Sequence, residues 1–450
     1  MFNIAPFVFR QMIDFSKYTV KPYKHIDKKI SFSKVKDYVL NPDMISKHSF
    51  LPFIHHILTV EKFIGYCSPN QSPIKEKLRA IYYAGHLDSY IYRYYSDLLN
   101  EAYNQWVVEN GLDKLSVAYR TNKIAQSSIN FSAHAIARIV DTESSLIVIG
   151  DFESYFDTLD HTLLKNRLKT VLNTDYLSKD WHNVFKSLTK FGYVPKERLD
   201  ELDTEVQGAY FHHLREFRAY QSKHKICSNQ NSFGIPQGSP ISGVLANVYA
   251  IDFDREMAEL AQQYEGYYQR YSDDFILILP ITFSDKKQVQ SISSQIVDKI
   301  EYLADENRIR IQKTKLNCAL YHQNQMVEIT GDQPTHIDYL GFTFDGDSVK
   351  MRQKSIGKFY RKARRLIRHA HKVKITKKMK KLPYRHKIYS LYTDFGVSET
   401  YRSNFIDYAK RAQLIFDNIS PKTKNLMMEQ LKNRKKIIER ELGYKIHSKI

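Results

Sequence analysis

Apolar residues in this chain recur at helical spacing in some stretches and cluster at strand spacing in others, with polar segments between them. Residues 92–106 carry helical periodicity. Residues 146–150 form a short apolar run rich in β-branched side chains that ends at Asp151, the pattern of a buried strand delivering an acid at its tip. The stretch 160–191 reads as helical and 192–227 as mixed and polar. Ser239 and Pro240 have the chemistry of an N-cap and a first helical position. Ile241, Val244, Leu245, Val248 and Ile251 then recur at helical spacing, so a loop is expected to run straight into a helix there. Residues 267–271 and 275–279 are strand-like runs on either side of Ser272-Asp273-Asp274, which predicts a tight hairpin with acids at its tip. Val289, Ile292, Ile296, Ile300 and Leu303 predict an amphipathic helix. Residues 339–344 give a further strand signal broken by Gly341. From Val349 onward the chain is expected to be basic and helical, with no Asp or Glu between Asp347 and Asp394.

At 450 residues the chain can form roughly two or three packed units. Its 42% hydrophobic and 13% aromatic content is that of a globular protein rather than a disordered one. The formal net charge of +19 changes the picture more, because so basic a surface attracts polyanions, and nucleic acid is the commonest of these. The three cysteines, Cys67, Cys227 and Cys318, are odd in number and far apart, which excludes a disulfide framework and zinc-ligand spacing and fits a reducing cytoplasm. The opening Met1-Phe2-Asn3-Ile4-Ala5-Pro6-Phe7 has no charged leader before a long apolar core. No run approaches the ~18 apolar residues of a membrane span, so neither secretion nor membrane insertion is expected.

The candidate chemistry lies in the acids. Asp273-Asp274 at a hairpin tip and Asp151 at a strand end are flanked by apolar runs expected on neighbouring strands of one sheet. Carboxylates about 4 Å apart repel by roughly 4 kcal/mol at an effective dielectric near 20, so such a cluster requires a proton or a cation. Hard oxygen ligands select Mg²⁺, with Mn²⁺ as the alternative. Two such ions can activate a 3′-hydroxyl and stabilise a leaving pyrophosphate.

Three segments carry a family resemblance. Tyr271-Ser272-Asp273-Asp274 with the following Phe275-Ile276-Leu277-Ile278 resembles the Tyr-x-Asp-Asp palm motif of reverse transcriptases. Ile149-Gly150-Asp151-Phe152-Glu153-Ser154-Tyr155-Phe156-Asp157-Thr158-Leu159-Asp160-His161 resembles the first palm motif of their bacterial members. Phe233-Gly234-Ile235-Pro236-Gln237-Gly238-Ser239-Pro240-Ile241-Ser242 resembles their loop-and-helix motif. The resemblance implies that Asp151 and Asp273 bridge two metal ions with Asp274 alongside, and that Phe152 lends a backbone carbonyl to the nucleotide-side ion. It implies that Phe156 excludes a 2′-hydroxyl and so favours deoxynucleotides, and that Gln237 and Gly238 lie close to the nucleotide. Ser239, Pro240 and Tyr271 would face primer and template. Ile309-Arg310-Ile311-Gln312-Lys313-Thr314-Lys315 is similar to the next motif, with Lys313 facing the triphosphate as a candidate general acid. Tyr339-Leu340-Gly341-Phe342 resembles the primer-grip turn.

Upstream, Lys77-Leu78-Arg79-Ala80-Ile81 and Ser116-Val117-Ala118-Tyr119-Arg120 resemble fingers motifs, with Arg79, and less so Lys75 and Lys77, clamping phosphates. The basic segment with Arg361, Lys362, Arg364, Arg365, Arg368 and the lysines of 374–381 occupies the place of a thumb that grips duplex backbone. The implied architecture is an α+β right-hand polymerase. Residues 1–145 would form an N-terminal region and fingers, 146–345 a palm with an antiparallel sheet and inserted fingers elements at about 161–230, and 346–450 a basic helical thumb. Implied partners are an RNA template or non-coding RNA, a DNA primer or product and deoxynucleotides, while the oligomeric state, a homo-oligomer included, stays open. No Cys/His cluster follows the thumb, no Asn-Ala-x-x-His element is present, and Gln237 departs from the loop of diversity-generating elements. What remains is similar to stand-alone bacterial reverse transcriptases of the anti-phage and abortive-infection groups. The alternatives are a maturase-like RNA-binding protein of the group II intron type, a template-independent DNA polymerase, and an RNA-directed RNA polymerase, against which Phe156 argues.

Overall fold

A computed structural model describes residues 13–63, 74–202, 206–282, 285–331, 333–394 and 404–446. Cys67 and the opening heptapeptide lie outside the described residues, as do the side chains of Lys75 and Lys77. The strands are β1 (Phe53–Phe63), β2 (Ile74–Tyr83), β3 (Ser144–Asp151), β4 (Gly192–Pro195), β5 (Cys227–Ser228), β6 (Tyr267–Tyr271), β7 (Asp274–Pro280), β8 (Asn317–His322), β9 (Gln325–Glu328), β10 (Ile337–Tyr339), β11 (Phe342–Phe344), β12 (Ser348–Met351) and β13 (Lys424–Asn425). Two compact units form from interleaved segments, one from residues 1–122, 152–256 and 302–311, the other from 123–151, 257–301 and 312–450. Among the described residues no helix is long and apolar enough to cross a membrane.

The first unit holds a sheet of order β2-β1-β4-β5, with β1 and β2 antiparallel over ten residue pairs and β1 parallel to β4. The helix His86–Glu109 follows β2. Asp27 caps its N-terminus by accepting from the backbone N–H groups of His86 and Leu87 at 2.9 and 3.0 Å. This helix buries Tyr90, Tyr92, Tyr94, Tyr95 and Tyr103, which explains where many of the tyrosines go. Tyr95 donates to Asp180 at 2.6 Å, so its polar end is satisfied inside the core.

The second unit is built on the five-stranded antiparallel sheet β6-β7-β3-β8-β9 and a smaller sheet β10-β11-β12-β13. The run of β-branched residues around Val148 is central and buried, apart from the half-buried Ile149, in keeping with its unbroken apolar character. The helix Ser128–Val140 packs Ile129, Ala133, Ile136 and Ile139 into a core with Ile147, Ile276, Phe342 and Phe416. The basic helix Gln353–Thr376 buries Ile356, Phe359, Ala363, Ile367 and Ala370 along one stripe. Four of these, Phe359, Ala363, Ile367 and Ala370, pack with Ile388, Ile406, Ile438 and Leu442. Its arginines and lysines cover the opposite face.

Two local expectations are corrected, and the break expected at Gly341 is present. The helix after the Gln237 loop spans Ser242–Tyr249, so Ser239 and Pro240 lie ahead of it in a turn and neither caps it. Ser242 instead donates its hydroxyl to the Pro236 carbonyl at 2.7 Å. The signal at 339–344 is two strands, β10 and β11, folded back at Leu340 and Gly341, both at positive φ. Residues 349–351 belong to strand β12, and the basic helix begins only at Gln353. The α+β fold class is borne out.

Candidate active site

The acids are placed by sheet register. Strand β3 pairs antiparallel with β7 so that Asp151 stands opposite Asp274, and β6 and β7 join through Ser272 and Asp273. Ser272 is left-handed at φ +61°. Its carbonyl accepts from Nη1 of Arg270 at 2.7 Å, and Arg270 is fully buried in β6. A buried guanidinium thus holds the turn that carries the Asp-Asp pair. Replacing Arg270 with methionine is expected to destabilise the protein by about 2–4 kcal/mol, read by chemical denaturation, because the turn loses a charge-assisted donor in a dry setting.

The electrostatics follow from this packing. Burial, then the charges of Asp273 and Asp151, push the Asp274 carboxyl up to about 7, and Lys315 and Arg352 oppose the rise. Lys315 places its ammonium 2.5 Å from Oδ2 of Asp151, and the Gln312 N–H donates to the Asp151 carbonyl at 2.9 Å, so residues 312–315 are stitched to the end of β3. Among the described residues no group of three or more His, Cys, Asp or Glu side chains stands ready-made around a metal ion. The donor chemistry nonetheless suits a hard divalent cation: three carboxylates, one of them driven toward its neutral form by burial and by the other two, with an ammonium on another as the local positive charge.

Lys313 and Lys315 part company in space. Lys313, singled out in the sequence, pairs with Glu301 at 3.1 Å and is largely exposed, whereas Lys315 meets the acid. A three-residue 3₁₀ turn, Lys313–Lys315, makes this difference, and no helical or strand period in the sequence would separate the two lysines. Arg352, ion-paired to Asp338 at 2.5 Å, is a second cation near Asp274 that the motifs did not single out. Arg270 could have been suspected, as a charge in the middle of an otherwise uncharged strand.

Tyr339 is 1% exposed and donates its hydroxyl to Gln269 at 3.2 Å. Its side chain is therefore unavailable to a primer, and only the turn residues Leu340 and Gly341 remain accessible from that motif. Tyr271 is half-buried with its ring against Phe131. Arg361 and Arg365 are exposed on the basic helix, and Arg364 pairs with Glu441 at 3.0 Å.

The other motif residues belong to the first unit. Phe152 is buried and bridges to Ile311, and the Glu153 N–H donates to the Arg310 carbonyl at 2.7 Å. Phe156 lies half-buried on the one-turn helix Tyr155–Thr158, its carbonyl accepting from the Ile235 N–H at 2.9 Å. His161 donates to the Gly234 carbonyl at 2.7 Å, and burial holds its pKa below the usual imidazole range. The first palm motif and the loop motif are thus bonded to each other. The Gln237 carbonyl accepts from the Tyr82 N–H at 2.8 Å, so the loop is laid along β2, three residues from the exposed Arg79. Gly238 sits at φ +119°, and a side chain there would meet the Tyr82 carbonyl at 2.6 Å; glycine is needed for approach to β2. Gln237 is exposed, whereas Ser239 is buried, its hydroxyl without a hydrogen-bond partner. The Pro240 carbonyl accepts from Ser96.

These motifs fall within residues 89–344 except Arg79 and the basic helix, and that span matches the family model described as reverse transcriptase (RNA-dependent DNA polymerase). The match covers more than half of the chain, which belongs to the reverse transcriptase family and is an RNA-directed DNA polymerase, a nucleotidyltransferase. No curated protein sequence matches it. Similar solved structures include telomerase from Candida albicans in complex with a TWJ fragment of telomeric RNA, at 12% identity and TM-score 0.41, over 97% of this chain and 72% of that one. Apo telomerase from Candida tropicalis is similar at 11% identity and TM-score 0.42, over 96% and 67%. A form of the latter truncated from its C-terminal domain gives 12%, 0.42, 74% and 63%.

Proposed function

We propose that the chain extends a DNA primer on an RNA template by two-metal-ion catalysis, with Asp151, Asp273 and Asp274 holding two Mg²⁺ ions and the Phe152 carbonyl completing the nucleotide-side set. The observation that carries this reading is the register of β3 and β7, which sets Asp151 opposite Asp274, whose carboxyl is pushed up to about 7 by burial and then by its acidic neighbours. When bound, the ions would lower the pKa of the primer 3′-hydroxyl and offset charge on the leaving pyrophosphate. The protein's own residues do the rest. Arg270 fixes the turn, Lys315 holds Asp151 in an ion pair until a cation takes the place of its ammonium, and Lys313 or Lys315 is the available proton donor to the pyrophosphate. Phe156 screens the sugar, Gln237 and Arg79 contact the nucleotide, and Leu340 and Gly341 contact the primer.

Residues 1–145 are assigned to an N-terminal region and fingers, 146–345 to a palm with inserted fingers elements at about 161–230, and 346–450 to a basic helical thumb, with Arg361, Arg364 and Arg365 on duplex backbone. Because Lys315 competes with a cation for Asp151, Lys315→Met is expected to lower the Mg²⁺ concentration that gives half-maximal thermal stabilisation several-fold. An unchanged Mg²⁺ requirement would contradict the exchange.

The finer reading is a stand-alone bacterial enzyme of the cytoplasm that works with a non-coding RNA in anti-phage defence. Its support is the family resemblance of the three palm and loop motifs. Protein purified from its host with associated nucleic acid is expected to carry one discrete RNA and cDNA copied from it. DNA of a sequence found in no co-purified RNA would instead identify template-independent synthesis, and RNA bound without any DNA made would favour the maturase-like reading.

A further inference from the structure

Tyr384 stands exposed just ahead of the helix Arg385–Tyr392, on a turn whose two ends are anchored in the core. Leu382 packs against the cluster that holds Ile367, Ala370 and the fully buried Ile388. The Ile388 N–H donates to the Tyr384 carbonyl at 2.9 Å. Between these anchors Tyr384 is held at φ +58° and stays 46% exposed. A left-handed conformation is an outlier for a bulky aromatic residue, and such strain persists only where the surroundings impose it. The ring stacks on His369 of the basic helix, with centroids 5.6 Å apart and planes inclined by 25°. His369 is exposed as well, so the two rings stack at the surface rather than in a core. Positive charge surrounds the pair. Arg365 precedes His369 by four residues on the helix and Lys372 follows it by three, which makes them its neighbours on one face. Lys381 and Arg385 lie beside Tyr384 in the chain. All four cations are exposed and, among the described residues, none is paired with an acid.

We propose that Tyr384 and His369 form a stacking site for an unpaired nucleobase, with Arg365, Lys372 and Lys381 taking the phosphates on either side. This rests on the reading of the basic helix as a grip for nucleic acid. Positive charge alone serves a duplex, whose bases are already paired and stacked on one another. An open aromatic ring beside that charge adds a contact that only an unpaired base can make, and it does so without selecting sequence. A tyrosine serving only to fill space would turn inward, as Tyr392 does in the same segment, and would have no need of a strained backbone.

The test is equilibrium binding of the full-length chain, in chelator and without nucleotides, to four ligands: a single-stranded RNA, the DNA oligomer of the same sequence, an abasic oligomer of the same length, and a blunt RNA–DNA duplex. Tyr384→Ala and Tyr384→Gly are expected to weaken single-strand binding roughly 5- to 150-fold and to leave duplex binding unchanged, with Tyr384→Phe near wild type on both. The abasic oligomer should bind wild type and Tyr384→Ala equally. Because the lost contact carries no charge, the salt dependence of single-strand binding should be the same in Tyr384→Ala, whereas Arg365→Ala should flatten it and weaken single strand and duplex alike. Glycine adopts positive φ without steric cost, so Tyr384→Gly should keep the melting temperature near wild type while binding falls. A loss with RNA, with DNA or with both supports the site and names the strand it takes. The proposal is overturned if Tyr384→Gly binds single strands like wild type, or if the duplex loses as much as the single strand. It is also overturned if only binding to phosphatidylserine vesicles falls, which would make the patch a membrane contact. Failure of the wild type to bind the duplex would count against the basic helix as a duplex grip, while the single-strand comparison would still decide the role of Tyr384.

Discussion

Replacing Asp274 with asparagine is expected to reduce primer extension by roughly 10³-fold or more and, in the metal-free protein, to raise stability above about pH 7. The first effect follows from removing a charged oxygen from the proposed ion set. The second follows from the raised carboxyl. The folded protein holds the Asp274 proton up to about pH 7, against an ordinary value of 3.8, so the contribution of this group to stability is fully present below about pH 4 and is lost as pH rises to 7. At roughly 1.4 kcal/mol per pKa unit, the loss is on the order of 2–4 kcal/mol. Asparagine cannot ionise, so the variant should lack this pH slope. A divalent cation should restore stability to the wild type at neutral pH and do little for the variant. Denaturation curves collected in chelator across this pH range, then with Mg²⁺, check each part. A variant less stable than wild type above about pH 7 would show that burial and like-charge crowding do not penalise the ionised Asp274.

Replacing Phe156 with alanine is expected to raise the relative use of ribonucleotides by about 10²-fold, because a steric screen against the 2′-hydroxyl is removed while the polar groups that position the nucleotide remain. The local geometry favours a clean readout. The half-buried ring is on a single helical turn, and the Phe156 carbonyl stays bonded to the Ile235 N–H whatever the side chain. The ratio of kcat/KM for matched deoxy- and ribonucleotides gives the answer, with Phe156→Tyr expected to retain discrimination. Equal discrimination in Phe156→Ala would place the ring away from the sugar.

The acidic hairpin was legible because strand physics is local and its pattern is strong. A continuous apolar run ending at Asp151, and two short strands around Asp273 and Asp274, leave little choice but neighbouring strands with acids at one end. The bonding of the Phe156 segment to the Gln237 loop was legible only as two motifs, since the hydrogen bonds from Gly234 and Ile235 to Leu159 and Phe156 join residues about seventy-five apart in the chain and have no sequence period. Ser239 looked like a cap because serine before proline and an apolar series usually is one, but the chain turns once more before the helix starts. Tyr339 looked like a contact residue, yet its ring fills the core. The role of Lys315 was hidden because a 3₁₀ turn decides where its side chain goes, and such a turn leaves no periodic trace.

The central claim is that the acids of β3 and the β6–β7 turn drive RNA-directed DNA synthesis. Its most direct test is extension of a DNA primer on an RNA template by the full-length protein with Mg²⁺ and deoxynucleotides, run beside Asp273→Ala/Asp274→Ala under conditions where both bind the primer–template equally. The account predicts template-encoded DNA from the wild type and none from the double variant. Equal synthesis by both proteins would remove these carboxylates from the chemistry.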